Sequence, residues 1–178
     1  MAKILGETLI SRDEIADICV TLGRRITQDY AGKSVLLVGV LKGAFVFMAD
    51  LARHIDLPID MDFISVSSYG GGTETSGIVR IIKDVEQNIA AKHVIVVEDI
   101  VDSGLTLKHL RELLMTRNPA SIALCTAFDK PERRKVPIQV EYVGRRIPDE
   151  FIVGYGLDYN GIYRNLPDVR ILRDAVEE

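Results

Sequence analysis

Apolar residues return at two different periods along this chain, and the switching between them predicts its elements. Ile15, Ile18, Leu22 and Ile26 lie three or four positions apart, the spacing of one helix face. They follow Ser11-Arg12-Asp13-Glu14, a capping box in which serine and glutamate each satisfy a free backbone N–H, so a helix is predicted from about Ser11 to Tyr30. Ser34 to Leu41 (SVLLVGVL) is instead an unbroken apolar run, as in a strand buried on both faces of a parallel sheet. Ala44 to His54 reads as a second helix, stopped before Pro58. Met61 to Val66 and Ile78 to Lys83 read as strands, and His93 to Glu98 (HVIVVE) as another buried one. Leu107, Leu110 and Leu114 mark a helix ending before Asn118-Pro119. Ser121 to Phe128 and Gln139 to Val143 complete the strands, and a mixed segment follows from Phe151. Strands alternating with helices predict an α/β domain with a mostly parallel sheet. No internal repeat, low-complexity tract or linker interrupts the pattern.

Composition narrows the class. The 178 residues suit one domain with a sizeable core, and 47% apolar against 27% charged is the balance of an ordinary globule. A net charge of −4 argues against a protein that coats nucleic acid. Gly6 and Glu7 interrupt any signal-peptide apolar region, and the longest apolar runs, such as Val35 to Leu41, are too short to cross a bilayer. Cys19 and Cys125 sit in apolar surroundings without partners at metal-ligand spacing. They are expected to be buried thiols in a reducing compartment, the cytoplasm.

In open α/β sheets, ligands bind beyond the carboxyl ends of the strands. Four such ends carry unusual residues: Leu41-Lys42-Gly43, Glu98-Asp99, Asp129-Lys130 and the Phe151 to Asp158 segment. The second is the most informative. After a fully apolar strand come two carboxylates, Glu98 and Asp99, then Asp102-Ser103-Gly104, with Thr106 opening a helix. A helix start offers free N–H groups to a phosphate. Gly104 admits close approach, and Ser103 and Thr106 add hydroxyl donors. The paired carboxylates suit ribose hydroxyls or a hard cation such as Mg²⁺. Asp102 and Ser103 alone would read as helix caps, but adjacent carboxylates closing an apolar strand have no structural task. The stretch His93 to Leu107 is therefore expected to bind a sugar phosphate. G-x-x-x-x-G-K-[ST] and G-x-G-x-x-G are both absent, and His54, His93 and His109 form no metal motif. The glycine-rich Ser67 to Gly77 stretch reads either as a hairpin connection or as a lid.

VVEDIVDSGLT, Val96 to Thr106, resembles the phosphoribosyl-pyrophosphate motif of the type I phosphoribosyltransferase family. Across roughly Ile10 to Leu172 the chain is similar to its compact bacterial hypoxanthine-guanine branch. Leu41 to Leu51, the SSYGGG loop, Phe128 to Arg134 and Ile147 to Pro167 agree in order and spacing. The resemblance implies one domain over residues 1–178: a twisted, mostly parallel sheet flanked by helices, under a small hood formed by the N- and C-terminal segments. It implies Mg²⁺-dependent transfer of the 5-phosphoribosyl group of phosphoribosyl pyrophosphate to N9 of hypoxanthine or guanine, giving IMP or GMP and pyrophosphate. Asp102 points to 6-oxopurines, since relatives using adenine or orotate usually carry a small residue there.

The family's roles carry over residue by residue. Lys42-Gly43 would form the pyrophosphate loop, often with a non-proline cis peptide before the second residue. Arg164 and Arg134 would contact pyrophosphate. Glu98 and Asp99 would hold the ribose, directly or through Mg²⁺, and Ser103, Gly104, Leu105 and Thr106 would wrap the 5′-phosphate, Leu105 through its backbone. Asp102 would be the general base. Lys130 would donate to O6, Phe151 would stack on the purine, and the Ile152 backbone would read its edge. Asp158 would sit near the 2-position or a second Mg²⁺. Ser68 and Tyr69 match a mobile loop. The partners implied are phosphoribosyl pyrophosphate and 6-oxopurines in a homodimer or homotetramer, with no nucleic acid and no membrane. A xanthine-preferring transferase and a regulator sensing phosphoribosyl pyrophosphate are the alternative readings.

Overall fold

Side chains along β2 (Val35–Leu41) alternate between two cores. Val35 and Leu37 face one side with α1 (Arg12–Asp29) and α2 (Phe45–Ala52), whereas Leu36, Val38 and Val40 face the other with α3 (Leu105–Met115). Both faces are covered, as an uninterrupted apolar strand requires. In this computed structural model, which describes residues 3–68 and 79–174, β2 lies centrally in a six-stranded sheet. Its neighbours are β3 (Ile59–Ser68) and β5 (His93–Val101), and β5 is followed by β6 (Ser121–Asp129) and β7 (Tyr142–Arg146), all parallel. β4 (Val79–Lys83) closes one edge antiparallel to β3. Ser68 ends β3, while Tyr69 and the glycine-rich stretch through Ile78 lie outside the described residues.

A second, antiparallel sheet places β9 (Val169–Asp174) between β1 (Lys3–Ile10) and the short β8 (Ile152–Val153). Its Ile10, Ile152, Val169 and Ile171 belong to the same apolar cluster as α1 and α2, which fixes this sheet against the larger one. Among the described residues no helix is long and apolar enough to cross a membrane.

The clearest departures from the pattern in the sequence are in β1, β5 and β7. β1 gives no clean alternation because its pairing with β9 shifts register twice, after Leu5 and again after Thr8. β5 does not stop at Glu98: its ladder with β6 continues to Val101↔Asp129, so both carboxylates lie within the strand. β7 begins at Tyr142 rather than Gln139.

The capping box forms as predicted, with Ser11 N–H donating to Glu14 Oε2 at 2.8 Å and Glu14 N–H donating to Ser11 Oγ at 3.3 Å. Arg145 also donates to Glu14, and these bonds, Arg145 first, hold its carboxyl down at about 2. A folded-state pKa below the unfolded one adds stability that is complete above the ordinary value of 4.5 and drains as pH falls toward about 2. Melting temperature against pH should therefore separate the natural chain from Glu14→Gln at neutral pH and bring the two together in acid. A gap that stays constant on acidification would contradict this linkage.

Candidate active site

The turn after β5 forms the first of three adjoining cavities. Gly104, in the left-handed conformation at φ 80°, is the N-cap of α3, so neither Asp102 nor Ser103 takes that place. The helix starts at Leu105, one residue earlier than the sequence pattern suggests, and Leu105 N–H donates to Ser103 Oγ at 3.4 Å. Glu98, Asp102, Ser103, Gly104 and Thr106 surround a cavity of about 130 Å³. Free N–H groups at the start of α3 and the hydroxyls of Ser103 and Thr106 suit a phosphate there.

The second cavity, about 470 Å³, shares Asp102 with the first and is bounded by Lys130, Arg133, Asp149, Phe151, Ile152 and Asp158. Lys130 is buried. Its Nζ donates to the Glu150 carbonyl at 2.5 Å and lies 3.8 Å from Asp149. Burial pulls the Lys130 pKa below the usual lysine range, against the opposing charges of Asp102 and Asp149. Phe151, 53% exposed, meets Tyr159 edge-to-face at 5.9 Å, so an open aromatic face stands at the cavity mouth. The backbone of Ile152 is fixed by pairing with Ile171.

Nothing in the sequence alone distinguishes Arg133 and Asp149 as site residues. Arg133 Nε donates to Asp102 Oδ1 at 2.6 Å, and its Nη1 reaches Asp149 at 3.3 Å. The only signal was a second arginine in PERR, and nothing in that pattern tells which of the two faces the cavity. Arg134, expected at the pyrophosphate, turns the other way. It donates to the main-chain oxygen of Asp102 at 2.6 Å and to the carboxylate of Asp129, beneath the turn.

The third cavity, about 330 Å³, is lined by Val40, Leu41, Gly43, Val66, Glu98, Asp99, Thr106, Asp158 and Arg164. The cis peptide is Leu41–Lys42, one bond earlier than the Lys42–Gly43 bond expected from the sequence. Asp99 packs directly on Gly43, where any Cβ would fall 1.7 Å from its Oδ2. Burial and the repulsion between neighbouring carboxylates push the Glu98 pKa well up. Burial raises Asp99 as well, opposed by hydrogen bonds and by Arg164. Arg164 bonds Asp158 at 2.7 Å and the Gly156 carbonyl at 2.6 Å, while Asp158 Oδ2 accepts from Gly161 N–H at 2.7 Å. Among the described residues, no three acidic, histidine or cysteine side chains form a ready-made metal cluster. Of the residues singled out, Lys42 carries the cis bond, Ser68 lies at the end of β3, and Tyr69 is outside the described residues.

The cavities interlock: Asp102 borders the first and second, Glu98 and Thr106 the first and third, Asp158 the second and third. They form one elongated site along the carboxyl ends of β2, β5 and β6.

The sequence matches the family model described as phosphoribosyl transferase domain over residues 9–160. It is 51% identical over 172 residues to the hypoxanthine-guanine phosphoribosyltransferase of Streptococcus pneumoniae, covering 97% of this chain and 96% of that protein. The structure is similar to a hypoxanthine phosphoribosyltransferase from Staphylococcus aureus, with a TM-score of 0.93 and 50% identity over 95% of this chain and 92% of the other. It is also similar to a Bacillus anthracis hypoxanthine-guanine phosphoribosyltransferase with a HEPES molecule in the active site, with a TM-score of 0.92 and 47% identity over 97% and 100% of the two chains. The phosphate-type turn, the lysine-floored pocket and the arginine-flanked carboxylates are thus carried on the fold of known transferases, and the chain belongs to the phosphoribosyltransferase family, in its hypoxanthine-guanine branch.

Proposed function

We propose that this chain is a purine-salvage transferase that moves the 5-phosphoribosyl group of phosphoribosyl pyrophosphate to N9 of hypoxanthine or guanine. The observation that carries this reading is Asp102, which borders both the phosphate cradle and the pocket floored by Lys130. A carboxylate in that place stands between a sugar phosphate and a base.

The ground state would be held at three points. Ser103, Gly104, the Leu105 backbone and Thr106 take the 5′-phosphate. Glu98 and Asp99 accept from the ribose hydroxyls. The Lys42-Gly43 backbone and Arg164 face the pyrophosphate. Lys130 donates to O6, a bond an exocyclic amino group cannot accept, and so selects 6-oxopurines. Phe151 lies over the ring, and the Ile152 main chain meets its edge. As N9 bonds to C1 of the ribose, the bond from C1 to the pyrophosphate oxygen breaks and the sugar gains oxocarbenium character. Asp102 takes the N7 proton, while Arg164 meets the negative charge growing on the leaving oxygens.

Mg²⁺ suits the Glu98–Asp99 pair, whose raised pKa values mark two carboxylates lacking full compensation. Such an ion commonly uses one or two carboxylates and completes its shell with water and substrate oxygens. When bound, it would neutralise charge on the pyrophosphate. Asp158 pairs with Arg164 through Oδ1 and accepts from Gly161 N–H through Oδ2, so it holds Arg164 toward the pyrophosphate while its own carboxylate borders the base pocket. A homodimer or homotetramer in the cytoplasm completes the reading, in keeping with two free, buried thiols.

Incubation with Mg²⁺, phosphoribosyl pyrophosphate and each 6-oxopurine should yield nucleotide and pyrophosphate with hypoxanthine and guanine, and chelation should stop it. No IMP or GMP would overturn the reading, and exclusive use of xanthine would move the chain to another branch. Asp102→Asn should lower turnover by roughly 10²–10⁴-fold, the range for a general acid–base group. Its affinity for phosphoribosyl pyrophosphate, measured by calorimetry, should change little. Unchanged turnover would remove Asp102 from the proton transfer.

A further inference from the structure

Behind the pyrophosphate side of the site lies a cavity of about 600 Å³ between α1, α2 and the segment that follows β8. On its wall is a polar cluster that touches none of the reacting groups. The Tyr155 hydroxyl donates to Asp50 Oδ2 at 2.9 Å and lies 3.5 Å from Cys19 Sγ. Tyr155 is 4% exposed, its ring meets Phe128 edge-to-face at 6.4 Å, and burial pushes its phenol pKa up, so it remains a donor.

The backbone around Tyr155 shows what this cluster holds. Gly154, Tyr155 and Gly156 follow one another at φ 98°, 51° and 96°, a conformation that a tyrosine adopts only where its surroundings impose it. Tyr155 N–H donates to the Leu166 carbonyl at 2.9 Å and Gly156 N–H to the Arg164 carbonyl at 3.0 Å. The Gly156 carbonyl in turn receives the Arg164 guanidinium. A Cβ on Gly156 would fall 2.1 Å from the Gly43 carbonyl, so the two backbones are in contact. Asp50, the acceptor for Tyr155, lies on α2, which begins just after Lys42-Gly43. The hydroxyl therefore joins the helix behind the pyrophosphate loop to the segment that presents Arg164.

We infer that Tyr155 is a positioning residue for the leaving group: its bond to Asp50 sets the distance between Gly43 and Arg164 across the pyrophosphate. Phe151 and Ile152, which meet the ring and edge of the purine, do not depend on it, because they are held separately by Leu172 N–H to the Phe151 carbonyl and by β8–β9 pairing. This inference rests on the transferase reading.

Tyr155→Phe removes one oxygen and should raise KM for phosphoribosyl pyrophosphate about tenfold, the size of one lost net hydrogen bond. The KM for hypoxanthine should stay within about twofold, and calorimetric affinity for Mg²⁺-pyrophosphate should fall in parallel. Asp50→Leu should reproduce the shift, Asp50→Asn, which keeps an acceptor, should largely restore it, and the Tyr155→Phe/Asp50→Leu double variant should be no worse than either single one. Cys19→Ala loosens the same cluster but keeps the bond to Asp50, so it should lower Tm and leave both KM values alone. A Tyr155→Phe enzyme with unchanged KM for phosphoribosyl pyrophosphate, or a Cys19→Ala enzyme with the same rise, would overturn the inference. No transfer by the natural chain would overturn the functional reading alone, since pyrophosphate affinity still tests the strut.

Discussion

The guanidinium of Arg134 holds together the two loops on which the site is mounted. It donates to the main-chain oxygen of Asp102 at 2.6 Å and to the carboxylate of Asp129, joining the turn after β5 to the end of β6. Two backbone bonds run alongside, Lys130 N–H to the Val101 carbonyl at 2.9 Å and Lys135 N–H to the Ser103 carbonyl at 3.0 Å. Charge-assisted bonds of this kind contribute about 1.5–3 kcal/mol each, more than neutral ones. The phosphate cradle lies on one of these loops and Lys130 on the other. On the proposed function, the separation between phosphate and base would thereby be set by the protein backbone before either arrives, which is the preorganisation that transfer between two ligands requires.

A second constraint runs against stability. Glu98 and Asp99 occupy consecutive positions in a strand whose preceding four residues are fully buried, and both are pushed toward their neutral forms. A sheet built for stability alone would carry no such pair there, because burying charge without a partner is costly. Gly43 leaves room for the Asp99 carboxylate, and the positive charge of Arg164 partly offsets its burial. On the proposed function, a hydroxyl-rich sugar and a divalent cation would relieve the remaining imbalance, which makes the same strained pair a source of ligand affinity.

Periodicity in the chain sufficed for α1, α2, α3 and the central strands, since each buries a face or a full run that local spacing displays. It missed β1, whose two register shifts erase alternation, and it ended β5 too early because carboxylates in a strand read as its end. At the site, residue type and order located Asp102, Ser103, Gly104, Lys130, Phe151, Asp158 and Arg164 along the three cavities, with the family resemblance supplying those outside the β5 turn. What stayed hidden depends on side-chain direction across long separations. The pairing of Arg133 with Asp102 spans 31 positions and the bond from Tyr155 to Asp50 spans 105. Neighbouring arginines in PERR carry opposite tasks, one lining the base pocket and one bracing the turn beneath it, and only the path of the short 3₁₀ helix Pro131–Arg133 separates them.

The most direct test of a single elongated site organised around Asp102 is a crystal structure of the chain with IMP. The 5′-phosphate should lie among Ser103, Gly104 and Thr106, with the base beside Phe151, O6 within about 2.6–3.2 Å of Lys130 Nζ, and N7 at the same reach from Asp102. A nucleotide bound with its base away from Lys130, or with its phosphate outside the turn before α3, would contradict this arrangement.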